Sequence, residues 1–179
     1  MITKILLVLA VVVTVFLVFV AFQPDAFRVS RSASIAAPPG EIFAKVNDFH
    51  QWEAWSPWAK LDPAARNTFS GPASGVGSVF SWAGNHEVGE GSMTLVESRP
   101  DELIRIKLEF VKPMKGTNDV EFLFTPGRTH TRVTWTMTGK NNFVGKAVGL
   151  VMNCDKMVGG MFEKGLANLK AVSEGKPQE

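Results

Sequence analysis

The chain has 179 residues, a formal net charge of +2 and a hydrophobic share of 45%. This length fits one domain with an appendage, and the small net charge excludes the strongly basic face of a nucleic-acid-binding protein. Its single cysteine, Cys154, excludes a disulfide framework. The apolar residues are unevenly spread. Between Ile5 and Phe22, 17 of the 18 residues are apolar, whereas only about 40% of the 154 residues after residue 25 are apolar. We therefore expect an N-terminal apolar segment, residues 1–25, and one domain, residues 26–179.

The N-terminal apolar run has the length of a membrane span. As a helix, its 18 residues would be about 27 Å long, close to the hydrocarbon thickness of a bilayer. A cleavable signal peptide is the alternative, but its apolar region is usually only about 7–15 residues long. Its cleavage site also needs two small residues, whereas Ala21 is preceded two positions back by Phe19, and Ala26 by Pro24. The sequence therefore predicts an uncleaved membrane anchor.

The flanking charges predict the orientation of this anchor only weakly. Lys4 lies before the apolar run, and Arg28 and Arg31 follow it, so the positive-inside count is nearly balanced. We expect the N-terminus inside and the domain on the outer or periplasmic face, with the cytoplasmic face as the alternative.

The domain begins with patterns of one strand and one or two short helices. Residues 27–35 alternate in polarity and predict a strand, in which Arg31 shares a side with Val29 and Ala33. Pro38, Pro39 and Gly40 break this strand and can begin a helix. A second short helix or turn is expected to carry Trp52, Trp55 and Trp58.

From about residue 68 the polarity alternates with a period of two. The pattern predicts about six antiparallel strands with one covered face and one wet face. The apolar residues with this spacing are Phe80, Trp82, Met93, Leu95, Ile104, Ile106, Leu108, Phe110, Val120, Phe122, Phe124, Val133, Trp135 and Met137. Charged residues with the opposite spacing, namely Arg105, Lys107, Glu109, Asp119, Glu121 and Arg132, are expected outside.

After Gly139 the apolar spacing becomes helical and predicts one long C-terminal helix ending near Gly175. This helix is the only predicted element large enough to cover the apolar face of the sheet, so the fold class is α+β. Four glycines in it, at positions 149, 159, 160 and 165, indicate either close backbone packing or space left open beside a ligand.

Several short strings, in their order, resemble one known family. They are Trp52-Glu53-Ala54-Trp55-Ser56-Pro57-Trp58, Gly75-Val76-Gly77-Ser78, Gly89-Glu90-Gly91, Thr131-Arg132-Val133-Thr134-Trp135 and Phe162-Glu163-Lys164-Gly165-Leu166. The chain resembles the SRPBCC superfamily of START-like helix-grip proteins, in its polyketide cyclase/dehydrase branch. The resemblance implies a curved antiparallel sheet of about seven strands, wrapped on a long C-terminal helix and enclosing a cavity for an apolar ligand. Because members range from lipid carriers to cyclases, it implies no particular reaction.

The expected lining of this cavity consists of large apolar residues. Aromatic residues suit the mouth of a hydrophobic pocket, and thioethers adapt to varied ligands. In both cases the alternative is an ordinary filled core. The predicted lining is Trp52, Trp55, Trp58, Phe80, Trp82, Ile106, Leu108, Phe122, Trp135, Leu150, Cys154, Met157 and Met161.

No motif indicates catalysis, a metal or a cofactor. The glycines around Val76 lack the third glycine of a phosphate-binding fingerprint and predict a turn. His50, His86 and His130 lack the spacing of a zinc site and are expected at the surface. We therefore predict no cofactor and no metal, and leave any catalytic residue unassigned.

The resulting hypothesis is a membrane-anchored domain that binds a hydrophobic small molecule or lipid. A cyclase/dehydratase-like enzyme is the first alternative, and it predicts a charged side chain directed into the cavity. A protein-interaction module of an envelope or stress assembly is the second, and it predicts a filled cavity and an exposed apolar patch.

Overall fold

The structure is a computed structural model that describes residues 2–151 and 154–176. Its helices are α1 (Ile2–Ala21), α2 (Pro39–Asn47), α3 (Phe143–Val151) and α4 (Cys154–Ser173), with a 3₁₀ helix (Phe49–Ala54) after α2. Its strands are β1 (Ala26–Ile35), β2 (Arg66–Ser70), β3 (Val79–Ala83), β4 (Glu90–Arg99), β5 (Leu103–Lys112), β6 (Gly116–Pro126) and β7 (Thr131–Lys140). This order confirms the predicted α+β helix-grip fold with seven strands.

All seven strands form one antiparallel sheet in the order β1-β7-β6-β5-β4-β3-β2. The register defines two ends of this sheet. Ala26 pairs with Lys140 at the end next to α1, which we call the α1 end, and Ile35 pairs with Thr131 at the other, which we call the far end. The β3–β4 and β5–β6 turns lie at the α1 end, because β6 begins beside the last residues of β7.

The alternation of β5 to β7 produces one buried face and one wet face, as the sequence predicts. Ile106, Val120 and Met137 are neighbours in register and are buried on the inner, concave face. On the convex face Arg105 lies between Glu97 and Glu121, with ion-pair distances of 2.8 and 3.0 Å. The side chains of Lys107, Asp119 and Arg132 are exposed, as expected, and Glu109 and Glu121 are partly exposed.

Helix α4 packs along edge strand β1 and runs in the same direction. Lys170 Nζ donates a hydrogen bond to the Ser34 carbonyl (2.7 Å), and the backbone N–H of Ala36 donates to Glu174 Oε1 (2.8 Å). The C-terminus of α4 therefore lies at the far end of the sheet. Where the sequence predicts one long C-terminal helix, the structure has two helices, α3 and α4, and residues 152–153 between them lie outside the described residues.

Helix α3 lies at the α1 end and contacts α1. Lys146 Nζ reaches the Ala21 carbonyl at 3.5 Å, and the Asn141 backbone N–H donates to the Asp25 carbonyl at 2.8 Å. Helix α1 itself has a mean hydropathy of 3.0 and exposes nearly its whole surface, with only Val20 buried among its residues. It is long and apolar enough to cross a membrane, and a signal sequence has the same properties.

Helix α2 and the 3₁₀ helix cover the far part of the concave face. Pro39 occupies the first turn of α2, where its missing N–H costs nothing. Asp48 caps the 3₁₀ helix by accepting a hydrogen bond from the backbone N–H of His50 (2.9 Å). The indole N–H groups of Trp52 and Trp55 donate to the carbonyls of Val46 (2.9 Å) and Lys45 (3.2 Å), which fixes both rings against α2.

Candidate ligand-binding site

The concave face carries a cluster of aromatic rings that fills the space between sheet and helices. We call it the aromatic core, and it consists of Trp52, Trp55, Phe122, Trp135 and Phe162. Each of these side chains is at most 5% exposed. Their rings meet mostly edge to face, the arrangement that the quadrupoles of aromatic rings favour. At these positions the tryptophans occupy the seam between the short helices and the sheet.

Trp135 lies at the centre of the aromatic core. Its ring stacks on Phe162 with centroids 4.2 Å apart and an interplanar angle of 7°. A Cβ at Gly165 would lie 2.8 Å from this ring and 3.0 Å from Pro57, so only glycine lets α4 approach so closely. The indole N–H of Trp135 is buried and has no hydrogen-bond partner within the described ranges. An unpaired buried donor is uncommon and costs free energy.

A second apolar region lies beside the aromatic core, toward the α1 end. We call it the trough. Its residues share the inward direction of their strands, and they are Phe27, Trp82, Met93, Leu108, Phe110 and Met137. Leu108 and Met137 are buried and form its floor, whereas the other four are only partly buried. The trough is therefore an apolar surface that the helices cover incompletely.

Local backbone features hold the walls of the trough. Trp82 donates its indole N–H to the Val88 carbonyl (2.9 Å), and its ring meets Phe110 edge to face at 5.9 Å. Gly91 makes room for this ring, because a Cβ there would lie 2.7 Å from the indole and 2.5 Å from the Glu109 carbonyl. The polar atom of Trp82 is thus satisfied by backbone, and the ring presents its apolar surface to the trough.

Arg31 places a charge on the concave face. Its Nε lies 2.7 Å from Glu163 Oε1, and one of its terminal nitrogens lies 3.0 Å from Asp155 Oδ2. The hydrogen bonds to Asp155 and then to Glu163 raise the pKa of the guanidinium further, and the bond from Arg31 lowers the pKa of Asp155. Because both carboxylates belong to α4, Arg31 ties this helix to β1.

Two of the four C-terminal glycines serve this close packing. A Cβ at Gly159 would collide with the Arg31 guanidinium, and Gly165 accommodates the Trp135 ring. Gly149 and Gly160 have open space where a Cβ would be. Close backbone packing therefore explains Gly159 and Gly165, whereas Gly149 and Gly160 are exposed on the helix surface.

The structure divides the predicted lining residues into three groups. Trp52, Trp55, Phe122 and Trp135 meet in the aromatic core, Trp58 packs edge to face on Trp135 and Phe162, and Ile106 is buried beneath. Trp82 and Leu108 belong to the trough, with Phe80 stacked beside Trp82 at 5.9 Å, and Met161 is partly buried.

In the third group, Leu150 and Met157 do not reach this interior. Leu150 is 39% exposed on α3, and Met157 is 53% exposed in the first turn of α4. Cys154 begins α4, and its side chain lies outside what the structure describes. The lining predicted from the sequence does not include Phe27, Met93 and Phe110, although the alternation of their strands places them on the inward side. The inward orientation of Arg31 could also be predicted from the alternation of β1, but its ion-pair partners on α4 could not.

The histidines and carboxylates of the described surface do not converge on one site. His50, His86 and His130 are exposed, and within residues 2–151 and 154–176 no cluster of three or more His, Cys, Asp or Glu could hold a metal. A cleft of about 260 Å³ lies at the β2–β3 hairpin, between Phe49, His50 and Phe69. There His50 Nδ1 is 2.9 Å from Asp48 Oδ1, and its ring stacks on Phe69 with centroids 4.2 Å apart.

The antiparallel sheet is open and curved, and the C-terminal helix packs against its apolar concave face. This arrangement defines a helix-grip domain. Residues 26–174 match the family model described as polyketide cyclase / dehydrase and lipid transport. The chain therefore belongs to this SRPBCC-type family, which confirms the resemblance seen in the sequence. No curated protein matches the chain significantly.

Solved structures support the same fold. A protein from Chromobacterium violaceum, CV1439, aligns with a TM-score of 0.58 at 15% identity, covering 84% of this chain and 99% of that one. The Aha1 dimer from Colwellia psychrerythraea aligns with a TM-score of 0.59 at 16% identity, covering 83% and 96%. The di-domain ARO/CYC BexL from the BE-7585A biosynthetic pathway gives 0.61 at 17% identity, covering 88% of this chain and 53% of that one. The chain thus spans about half of that di-domain protein.

Proposed function

We propose that the domain, residues 26–179, binds a hydrophobic small molecule or lipid in the trough, and that residues 1–25 anchor it to a membrane. The incomplete cover over the trough carries this proposal. Apolar burial is worth roughly 25 cal/mol per Å², so a ligand that covers these side chains needs no catalytic group in order to bind.

The anchor has a physical role in this function. A sparingly soluble ligand is concentrated in the bilayer, and the trough lies at the same end of the sheet as α1. The domain would therefore stay close to the phase from which its ligand is drawn. We place it on the outer or periplasmic face, and a reporter enzyme that is active on one side only, fused to the C-terminus, tests that orientation.

Ligand binding is tested with the full chain in lipid nanodiscs and dansyl-undecanoate as the probe. We expect energy transfer from tryptophan to the dansyl group, saturating at one probe per chain and reversed by unlabelled oleate. Phe110→Asp should weaken this binding about tenfold or more, because a carboxylate in the trough must be desolvated under an apolar ligand. Leu123→Asp is the matched control, since Leu123 is 42% exposed on the convex face and should leave binding unchanged.

Two results would contradict the binding proposal. One is energy transfer that rises with probe concentration without saturating and that reaches the same level in nanodiscs that contain a free tryptophan analogue instead of the protein. The other is equal weakening by Phe110→Asp and Leu123→Asp. Native mass spectrometry of the full chain, released from nanodiscs and followed by lipid extraction, supplies an independent readout: a stoichiometric apolar ligand is expected.

A cyclase/dehydratase-like enzyme is a second candidate, and Arg31 is the observation that favours it. The enzyme hypothesis requires a charged group directed inward, and Arg31 is one. However, Asp155 and Glu163 already engage its guanidinium, which leaves little of it for a substrate. If Arg31 served a reaction, Arg31→Lys would abolish turnover of an aromatic polyketide while leaving dansyl-undecanoate binding intact. We expect instead that α4 loosens and that binding weakens.

A further inference from the structure

Helix α3 has an apolar face that no described part of the domain covers. Phe143, Ala147 and Leu150 follow the spacing i, i+4, i+7 and share one side of the helix, with Val144 and Val148 beside them. Phe143 is 46% exposed, Val144 is 53% exposed and Val148 is 37% exposed. Such a face is unfavourable in water, so it requires an occupant.

The exposed apolar residues cluster at one end of the molecule. Outside α1, twelve large apolar side chains are exposed among the described residues, and seven of them, including Val111 near the end of β5, lie at the α1 end. Met114 in the β5–β6 turn, 48% exposed, and Phe22 just after α1, 86% exposed, accompany the four of α3. The register places this turn beside the start of β1 and the end of β7. The apolar surface is therefore concentrated where α1 leaves the domain.

The face of α3 is continuous with the surface of α1. The two helices contact each other, and Lys146 on α3 reaches the last carbonyl of α1 at Ala21. Lys140 lies just before α3, and Lys115 lies next to Met114. Lysine beside an apolar residue is typical of segments in the membrane interface, where the stem is buried and the ammonium reaches the headgroups.

From this placement we propose that α3 lies in the interface of the same bilayer that α1 crosses. Its face of Phe143, Val144, Ala147, Val148 and Leu150 enters the headgroup region, and Met114 makes a second contact. This inference rests on the proposed membrane anchor and adds a fixed orientation to it. With α1 and α3 both held by lipid, the domain cannot rotate freely about its linker, and the trough opens toward the bilayer surface.

The experiment uses the full chain in vesicles of phosphatidylcholine and phosphatidylglycerol. Single cysteines, in a Cys154→Ser background with unchanged circular dichroism, carry the fluorophore NBD, and doxyl-labelled phosphatidylcholine quenches it. Val144→Cys and Val148→Cys report on α3, Val12→Cys reports on the span, and Leu123→Cys on the convex face is the water reference. All four native side chains are exposed, so labelling leaves the packing intact.

We expect strong quenching at Val12, quenching at Val144 and Val148 several-fold above that at Leu123, and quencher depths near the headgroups for α3. If Val12 is quenched while both α3 labels behave like Leu123, the inference about α3 is overturned and the anchor stands. If the label at Val12→Cys is not quenched, α1 does not cross the bilayer, and both the proposed anchor and the inference about α3 are overturned. A blue-shifted α3 label without lipid quenching would show a protein partner, such as a second copy, and would also overturn the proposal.

Discussion

The two ends of the concave face are covered in different ways. At the far end, α2, the 3₁₀ helix and the C-terminal part of α4 press on the sheet, and the aromatic core is at most 5% exposed. At the α1 end the same sheet carries the trough, whose walls of Phe27, Trp82, Met93 and Phe110 stay partly exposed. One end is packed like a protein interior, whereas the other retains apolar surface that an additional molecule can cover.

This difference separates the part of the sheet that is packed as a stable core from the part that the proposed ligand would cover. The rings of the aromatic core fill their space without the help of a ligand, so the fold does not depend on occupancy. The four wall residues of the trough contribute less to stability because they are only partly buried, and under the proposed function they contact the ligand. Substitutions that act unequally on the two ends therefore test the division directly.

The largest effect is expected at the centre of the aromatic core. Trp135→Ala should lower the free energy of unfolding by about 3–5 kcal/mol, because it leaves a cavity under Phe162 and Trp55. The matched change at the other end, Trp82→Ala, should cost only about 1–2 kcal/mol, since that ring is only partly buried. Urea unfolding of the full chain, followed by circular dichroism, measures both. Equal losses would contradict the division.

An intermediate effect is expected from the glycines of α4. Gly165→Ala should destabilise by about 1–3 kcal/mol, because its Cβ meets Trp135 and Pro57. Gly160→Ala has open space around its Cβ and should stabilise the helix by up to about 1 kcal/mol. The two variants add the same methyl group to the same helix, so thermal unfolding should separate them in sign. A stabilising Gly165→Ala would show that α4 is not held tightly against the sheet.

The smallest effect is a dependence on pH at the far end. Hydrogen bonds from Lys176 and from the backbone N–H of Ala36 lower the pKa of Glu174 from 4.5 to about 2. Because this pKa is lower in the folded state than in the unfolded state, the ionised carboxylate stabilises the fold. The full stabilisation is present above the pKa of the unfolded state, and it is lost as the pH falls from about 5 toward 2. Glu174→Gln should lower Tm by a few degrees at pH 7 and flatten its decline between pH 5 and pH 3.

The control for this pH prediction is Glu87→Gln, an exposed carboxylate in the β3–β4 turn, which should leave the pH profile unchanged. If Glu174→Gln and the wild type show the same decline of Tm with pH, the carboxylate of Glu174 does not tie the end of α4 to Ala36, the residue after β1.

The alternating strands were predictable because parity is a local property of the chain. Ile106, Val120 and Met137 point inward on three neighbouring strands, and each could be assigned from its own strand alone. Arg31 shows where this reasoning stops. Its inward parity was visible, but its partners Asp155 and Glu163 lie 124 and 132 positions away, and only the packing of α4 brings them together.

Leu150 and Met157 show a second limit. Their helical spacing indicates an apolar stripe, and a stripe predicts burial without naming the surface that buries it. The sequence placed that surface on the sheet, whereas Leu150 belongs to a helix that contacts α1, and both side chains are exposed. The difference in coverage between the aromatic core and the trough could not be predicted for a similar reason, since it depends on how far α2 and α4 extend over the sheet.

The direct passage from α1 into β1 has a mechanical consequence. Any pull between the N-terminal helix and the far end of the domain loads β1 along its own axis. All ten residues of β1 pair with β7, through hydrogen bonds that lie perpendicular to the strands. Such a load shears the whole ladder at once instead of opening it pair by pair, so the edge strand that follows α1 is also the one best placed to resist tension.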